Sequence, residues 1–306
     1  MFQLNVFDCG SIVITTLVNH KIADGKSIST FLKCWAAIAS GSETESLFPS
    51  FVSSSLFPQN IIPPVEYETT TISPFTKIEK PITRRFMFDA ESLSALKAKA
   101  MNSRSRHIPS QVQSVTALIW KSFMAMRTSL AGVQKPCFVS HVVDFRRRAS
   151  PPFPESCIGN LWFMAVAKCM DECSKGLDQL VGEIDKAIKI VDPEFVRQLE
   201  GESGVFMYRE ACKGMWEDIE NADYLFFTSW FNFGLYKVDF GWGKPALATC
   251  GGLNPVTIFS CVFLMETKEG DGMEAYVTLD EQEMTIFECD RVLLSFASID
   301  RNGDEA

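Results

Sequence analysis

Histidine is scarce in this chain: His20, His107 and His141 are the only three in 306 residues, and histidine is the side chain best suited to move a proton near neutral pH. Three nucleotide and nucleophile signatures are missing outright. There is no G-x-G-x-x-G, no P-loop and no G-x-S-x-G, so dinucleotide chemistry, P-loop hydrolysis and a serine elbow lose their support. Ten cysteines run from Cys9 to Cys289 without a C-x-x-C pair or a histidine at ligand spacing, and the closest two, Cys169 and Cys173, lie four apart. Reduced thiols are expected from that pattern, with neither disulfides nor a metal site. No apolar run is long enough to span a bilayer, and MFQLNVFDCG has neither a basic n-region nor a small-residue cleavage site. Positive charge is also short. Against 38 acidic residues stand 29 Lys and Arg, a net charge of −9, and the only basic clusters are Arg84-Arg85 and Arg146-Arg147-Arg148. Nucleic acid needs a broad basic surface, so it is excluded as a partner. A cytoplasmic protein that spans no membrane is expected.

What the chain does have is apolar bulk. With 46% hydrophobic and 12% aromatic residues, its length exceeds a usual single domain, and two packed lobes are expected. Strand-like runs LNVF and SIVITTLVN flank a turn at Asp8-Cys9-Gly10. After Asp24-Gly25 the period changes: Ile28, Phe31, Leu32, Trp35 and Ile38 share a helical face, with Ser27 as the cap and Gly41 as the stop. From Ser42 to Pro81 the chain is rich in Ser, Pro and Thr and predicts a long extended crossing. A strand ITRRFMF, a helix capped by Asp89, a basic loop SRSRHIPS and a helix opening at Ser114 follow. Next come strands CFVSHVVDFR and GNLWFMAVAKC around a PPFPES turn, and a helix ending at Asp192-Pro193. The last third predicts strands YLFFTSW, LYKVDF, TIFSCVFLME and MEAYVTL, closing on a helix near EMTIFECDRVLLSFA. Strands and helices mix without regular alternation, which disfavours a doubly wound sheet and points to α+β lobes.

The chemistry-bearing stretches are few. VNHKIADGKS presents His20 where a strand gives way to a helix, four residues before Asp24 and Gly25. An H-x-x-x-D pair alone is a weak signal. His107 reads as a surface residue, and His141, alternating with apolar neighbours in VSHVVDF, as a structural one. Lacking a serine or cysteine nucleophile signature, a single histidine can still deprotonate a bound hydroxyl or amine so that the substrate attacks directly. An attacked carbonyl then needs oxyanion donors. Thr228 and Trp230 lie two apart on one strand and offer a hydroxyl and an indole N–H. VDFGWGKP reads as a tight glycine turn.

Together these stretches resemble the plant BAHD acyltransferases. The carrying motifs are His20-Lys21-Ile22-Ala23-Asp24-Gly25 and Asp239-Phe240-Gly241-Trp242-Gly243, supported by NVFDCG, VDFRRR with IGNLW, the TSW strand and GDGMEAYVTLD. The resemblance implies a two-lobed chloramphenicol acetyltransferase-like fold. It also implies transfer of an acyl group from acyl-CoA, acetyl-CoA being the expected donor, to an alcohol or amine in a tunnel between lobes. His20 would be the general base, and Thr228 and Trp230 would face the intermediate. Asp24 would pair with Arg146 in a bracing role, with Gly25 beside it, and Asp239, Phe240, Gly241, Trp242 and Gly243 would form a scaffold loop. CoA is then a co-substrate, no cofactor or metal is held, and a monomer is expected. The nearest branch of the family esterifies alkaloids and other alcohols.

Family members carry a large part of the first lobe before H-x-x-x-D, whereas this chain starts one hairpin upstream of it. The expectation is a first lobe that is incomplete by N-terminal truncation, with residues 1–82 as its remainder and 83–306 as the C-terminal lobe. Two readings stay open: an acyl-CoA-dependent O-acyltransferase, or a non-catalytic family member that lacks a closed tunnel.

Overall fold

In the computed structural model, the described residues are 1–42, 48–58, 78–101, 108–170, 175–216, 222–249 and 259–300. Strand β1 (Phe2–Val6) pairs antiparallel with β2 (Ile12–Thr16), forming a two-stranded sheet of its own. Gly10 turns the chain between them at φ +83°, a left-handed conformation that glycine adopts without penalty. Most of the hairpin is exposed, and Phe2 ties it to the next helix by stacking on Phe31 and meeting Trp35 edge-on.

That helix, α1 (Gly25–Ala39), begins three residues earlier than a Ser27 cap would allow. Asp24 is the cap: its backbone is extended (φ −84°, ψ 174°) and its carboxylate accepts the Ser27 N–H at 2.8 Å. A carboxylate serves an N-terminus better than a hydroxyl because it also answers the helix dipole. Gly41, at φ +70°, follows the C-cap Ser40 as the sequence indicates.

Of the expected crossing from Ser42 to Pro81, residues 43–47 and 59–77 lie outside the described residues, as does the His107 loop at 102–107. The described part holds a one-turn helix α2 (Ser53–Leu56) and a bridge from Ser50 to Cys157.

The other strands form one mixed sheet. In chain order they are β3 (Pro81–Phe88), β4 (Cys137–Asp144), β5 (Trp162–Cys169), β6 (Asp223–Ser229), β7 (Cys261–Glu266), β8 (Met273–Asp280) and β9 (Ser298–Asp300). Their order across the sheet is β5-β4-β6-β7-β8-β3-β9; β4–β6 and β6–β7 run parallel and the remaining pairs antiparallel. β5 alternates cleanly. Phe163, Ala165, Ala167 and Cys169 enter the main core while the residues between them are half-buried, the signature of a strand with one covered face. The covering layer is α3 (Ala90–Ala100), α4 (Gln111–Ala131), α5 (Leu177–Lys189) and, later in the chain, α8 (Glu281–Phe287), with α4 touching the other three and β6. α4 supplies Leu118, Ile119 and Trp120, all with no exposed surface; cutting one such leucine to alanine costs about 2–5 kcal/mol.

Three sequence expectations are corrected here. α4 opens at Ser110, not Ser114, because Ser110 and Gln113 form a reciprocal capping box. The expected strand LYKVDF is a short 3₁₀ turn at Leu235–Lys237, entered through Gly234 at φ +69°. The closing helix is two short ones, α8 and α9 (Arg291–Leu294), each with its own aspartate cap, Asp280 and Asp290. Two helices lie between α5 and β6, namely α6 (Pro193–Gln198) and α7 (Gly204–Trp216).

Candidate active site

The turn from β2 into α1 carries His20, and its shape is set by Asp24. An ionised carboxylate offers about four acceptor positions, and all four are taken. Oδ1 accepts the Ser27 N–H and one guanidinium N–H of Arg146 at 3.0 Å; Oδ2 accepts another at 2.9 Å and the Leu161 N–H at 3.0 Å. Asp24 is 6% exposed and Arg146 only 1%. Burial drives the pKa of Arg146 down, and its hydrogen bonds to Asp24 and the charges of Asp24 and Asp144 overcome that and hold it above the ordinary value. Asp24 therefore has no free lone pair with which to orient the imidazole of His20 as a triad aspartate would.

A second run of residues grips the same turn. Gly159 O accepts hydrogen bonds from Asp24 N (3.3 Å), Ser27 Oγ (3.0 Å) and Arg146 Nη2 (3.2 Å). Asn160 Nδ2 donates to the backbone oxygen of His20 at 2.7 Å, and the Trp162 ring meets the His20 ring edge-on with centroids 6.3 Å apart. His20 itself is exposed. Residues 158–162 contributed to the resemblance but received no role from the sequence. The usable signal was a glycine and an asparagine set just before an apolar strand.

The helix start is also where Trp230 arrives. Trp230 sits one residue past the end of β6, its N–H donating to Leu264 O at 2.8 Å so that the ladder continues. Its indole lies against Gly25: a Cβ there would stand 2.9 Å from Trp230 Cε2 and Nε1 and 3.1 Å from the Phe233 ring. Glycine is thus required by close approach. Thr228, half-buried on β6, faces Phe263 across the ladder. The turn beyond Trp230 is pinned by Ser29 Oγ, which donates to Phe233 O at 2.8 Å.

Charges flank this contact. Lys26 lies over the Phe233 ring and 3.7 Å from Glu155. Lys33 lies beside Gly234, and burial, with the Lys26 charge adding, holds its pKa below the usual lysine range. One carboxylate oxygen of Glu266 is buried without a hydrogen-bond partner among the described residues.

The second motif organises itself. Asp239 Oδ1 accepts the N–H groups of Gly241 (2.8 Å) and Gly243 (3.0 Å), closing a loop in which both glycines have positive φ. Phe240 stacks on Trp242 and meets Trp35 near the C-terminal end of α1 edge-on at 5.0 Å. α1 therefore joins the two motifs, with His20, Asp24, Gly25 and Trp230 at its start and Asp239–Gly243 at its finish. His141 lies elsewhere. It is buried in β4, its Nε2 hydrogen-bonded to Thr116, and burial lowers its pKa to about 4.

Comparison with known proteins follows the same lines. Residues 1–294 match the family profile described as Transferase family. Epi-neemfruitin B 7-O-acetyltransferase of Melia azedarach is 37% identical over 97% of this chain and 66% of its own length. Limonoid 7-O-acetyltransferase of Citrus sinensis is 36% identical with the same coverage. The crystal structure of vinorine synthase superposes with a TM-score of 0.75 at 30% identity, covering 97% of this chain and 65% of that one. The chain belongs to the Transferase family, the BAHD acyltransferases, and has their α+β, chloramphenicol acetyltransferase-like fold. It spans about 66% of the length of these relatives. No helix among the described residues is long and apolar enough to cross a membrane.

Proposed function

We propose that this chain transfers an acyl group, acetyl first among candidates, from acyl-CoA to a hydroxyl or amine of a plant specialised metabolite. The carrying observation is the seating of the Trp230 indole on Gly25, which brings that indole to the motif that holds His20. His20 takes the proton of the acceptor as it attacks the thioester carbonyl. Thr228 Oγ1 and the Trp230 indole N–H stabilise the oxyanion, which collapses and expels the CoA thiolate. Asp24 and Arg146 hold the turn, Gly25 admits the indole, and Asp239, Phe240, Gly241, Trp242 and Gly243 support α1 from its far end.

A first lobe ending at residue 82 is supported by the hairpin forming a sheet of its own. Residues 1–82 carry the separate hairpin and α1, and residues 83–306 carry the seven-stranded sheet apart from the first two residues of β3. The named activity of one relative, 7-O-acetylation of a limonoid, supports a hydroxyl acceptor on a compound of that class. A cytoplasmic monomer that uses no nucleic acid or membrane partner fits the acidic composition.

The test is release of CoA from acetyl-CoA, followed with a thiol reagent across a panel of plant alcohols. His20→Ala should lower turnover about a hundredfold to ten thousandfold, the usual worth of general-base help. Equal turnover by the variant refutes the role of His20. The exposure of His20 favours a second reading, a family member that keeps the motifs without turnover. That reading requires no CoA release with any acceptor and no rise in Tm on adding acetyl-CoA.

A further inference from the structure

We propose that Asn160 and Trp162 are positioning residues for His20, and that they fix the direction of its imidazole from the sheet in the place where a triad would use an aspartate. The inference rests on the reading of His20 as the base. It begins from an accounting of hydrogen bonds. With every acceptor position of Asp24 filled, the turn at His20 is held at its carbonyl by Asn160 Nδ2 at 2.7 Å. A backbone carbonyl only accepts, so the amide nitrogen of Asn160 must face it, and the amide oxygen is left for a donor.

Trp162 supplies that donor. Its indole N–H lies 3.3 Å from Asn160 Oδ1, and an indole nitrogen donates only. The amide oxygen faces the tryptophan while the amide nitrogen faces His20. The same tryptophan then touches the histidine directly, its ring at 81° to the imidazole with centroids 6.3 Å apart. Trp162 reaches His20 along two routes: ring against ring, and through the asparagine to the backbone. Three residues close a loop in which moving one displaces the others.

The support under this loop is a strand. Trp162 is the first residue of β5 and pairs with Asp144 of β4, while the preceding Leu161 is 2% exposed and donates its N–H to Asp24. A group anchored on a strand is held more closely than one on a loop. His20 is exposed, so packing alone does not fix its rotamer. The aromatic face of Trp162 and the bond from Asn160 supply that constraint.

The experiment uses the full chain labelled at histidine. With only three histidines, the His20 imidazole signal is assigned by its disappearance in His20→Ala. Asn160→Ala, Trp162→Phe and Trp162→Leu are then compared. The leucine variant loses both routes and should move the His20 signal furthest, toward that of a free imidazole. The phenylalanine variant keeps a ring and loses the donor, and should move it less. Turnover with saturating acyl-CoA should fall about a hundredfold in Trp162→Leu, the scale expected for a misplaced reacting group, with KM for acyl-CoA unchanged.

A His20 signal unmoved in folded Asn160→Ala and Trp162→Leu proteins overturns the proposal, whatever happens to Tm. Absence of turnover in the wild type counts against the acyltransfer reading alone, because the imidazole signal still reports positioning.

Discussion

Removing the Asp24 carboxylate separates bracing from catalysis. Asp24→Ala leaves the Arg146 guanidinium, 1% exposed, with Asp144 at 3.1 Å as its remaining carboxylate among the described residues, plus the Cys157 and Gly159 carbonyls. Truncating one partner of a buried pair costs about 3–5 kcal/mol, and loss of the α1 cap about 1 more. At about 2 °C for each kcal/mol in a chain of this size, Tm should fall on the order of 8–12 °C. Urea unfolding followed by circular dichroism gives the same quantity as a lower midpoint at constant slope. Arg146→Met should destabilise comparably, since it strands the carboxylate instead. The double variant should then be more stable than the sum of the two losses by about 0.5–3 kcal/mol, the range for residues in direct contact. Midpoints within about 0.5 kcal/mol of wild type for both single variants would refute the bracing role. So would an Asp24→Asn protein of full stability whose turnover alone collapses, because that pattern belongs to an aspartate acting on His20.

Two further perturbations test other contacts. Gly25→Ala places a methyl 2.9 Å from the Trp230 indole and should cost about 1–3 kcal/mol by overpacking; an unchanged Tm and tryptophan emission spectrum would show that the indole is not seated there. The burial of His141 makes a pH prediction. Its pKa falls from 6.5 to about 4 on folding, so the unfolded chain binds the extra proton, and stability present above pH 6.5 is lost as pH falls toward 4. By pH 5 the loss from this residue is about 2 kcal/mol, and a His141→Gln protein that remains folded should lose correspondingly less between pH 7 and pH 5 in urea titrations. An identical pH dependence in the two proteins would remove His141 from the account.

Much of this architecture could be read from local sequence. β5 was legible because its alternation matches a sheet with one covered face, and α3 because Asp89 caps it and Leu93, Leu96 and Ala100 repeat at helical spacing. The order β5-β4-β6-β7-β8-β3-β9 was not, since it depends on pairings between distant strands that no local period encodes. The apolar run points to Ser114 because it begins later than the capping box at Ser110 that starts the helix. At the site, the glycine and histidine positions were evident from the motif. The partner of Asp24 lies 122 residues away, and only the family resemblance linked it to Arg146. Asn160 carried no chemical signal of its own; its importance comes from the atoms on either side of it in space.

α1 has a geometric consequence for the D-F-G-W-G loop. Fifteen residues make a rod about 22 Å long, fixed at one end by Asp24 and at the other by Trp35 against Phe240. A tilt of about one degree at the far end moves the near end by ~0.4 Å, and reacting groups tolerate only about 0.5 Å of error. Aromatic packing remote from the histidine thereby acts as the adjustment of a lever arm. A substitution in that loop can detune the chemistry without touching a reacting atom, and a compensating change elsewhere on the rod can restore the angle.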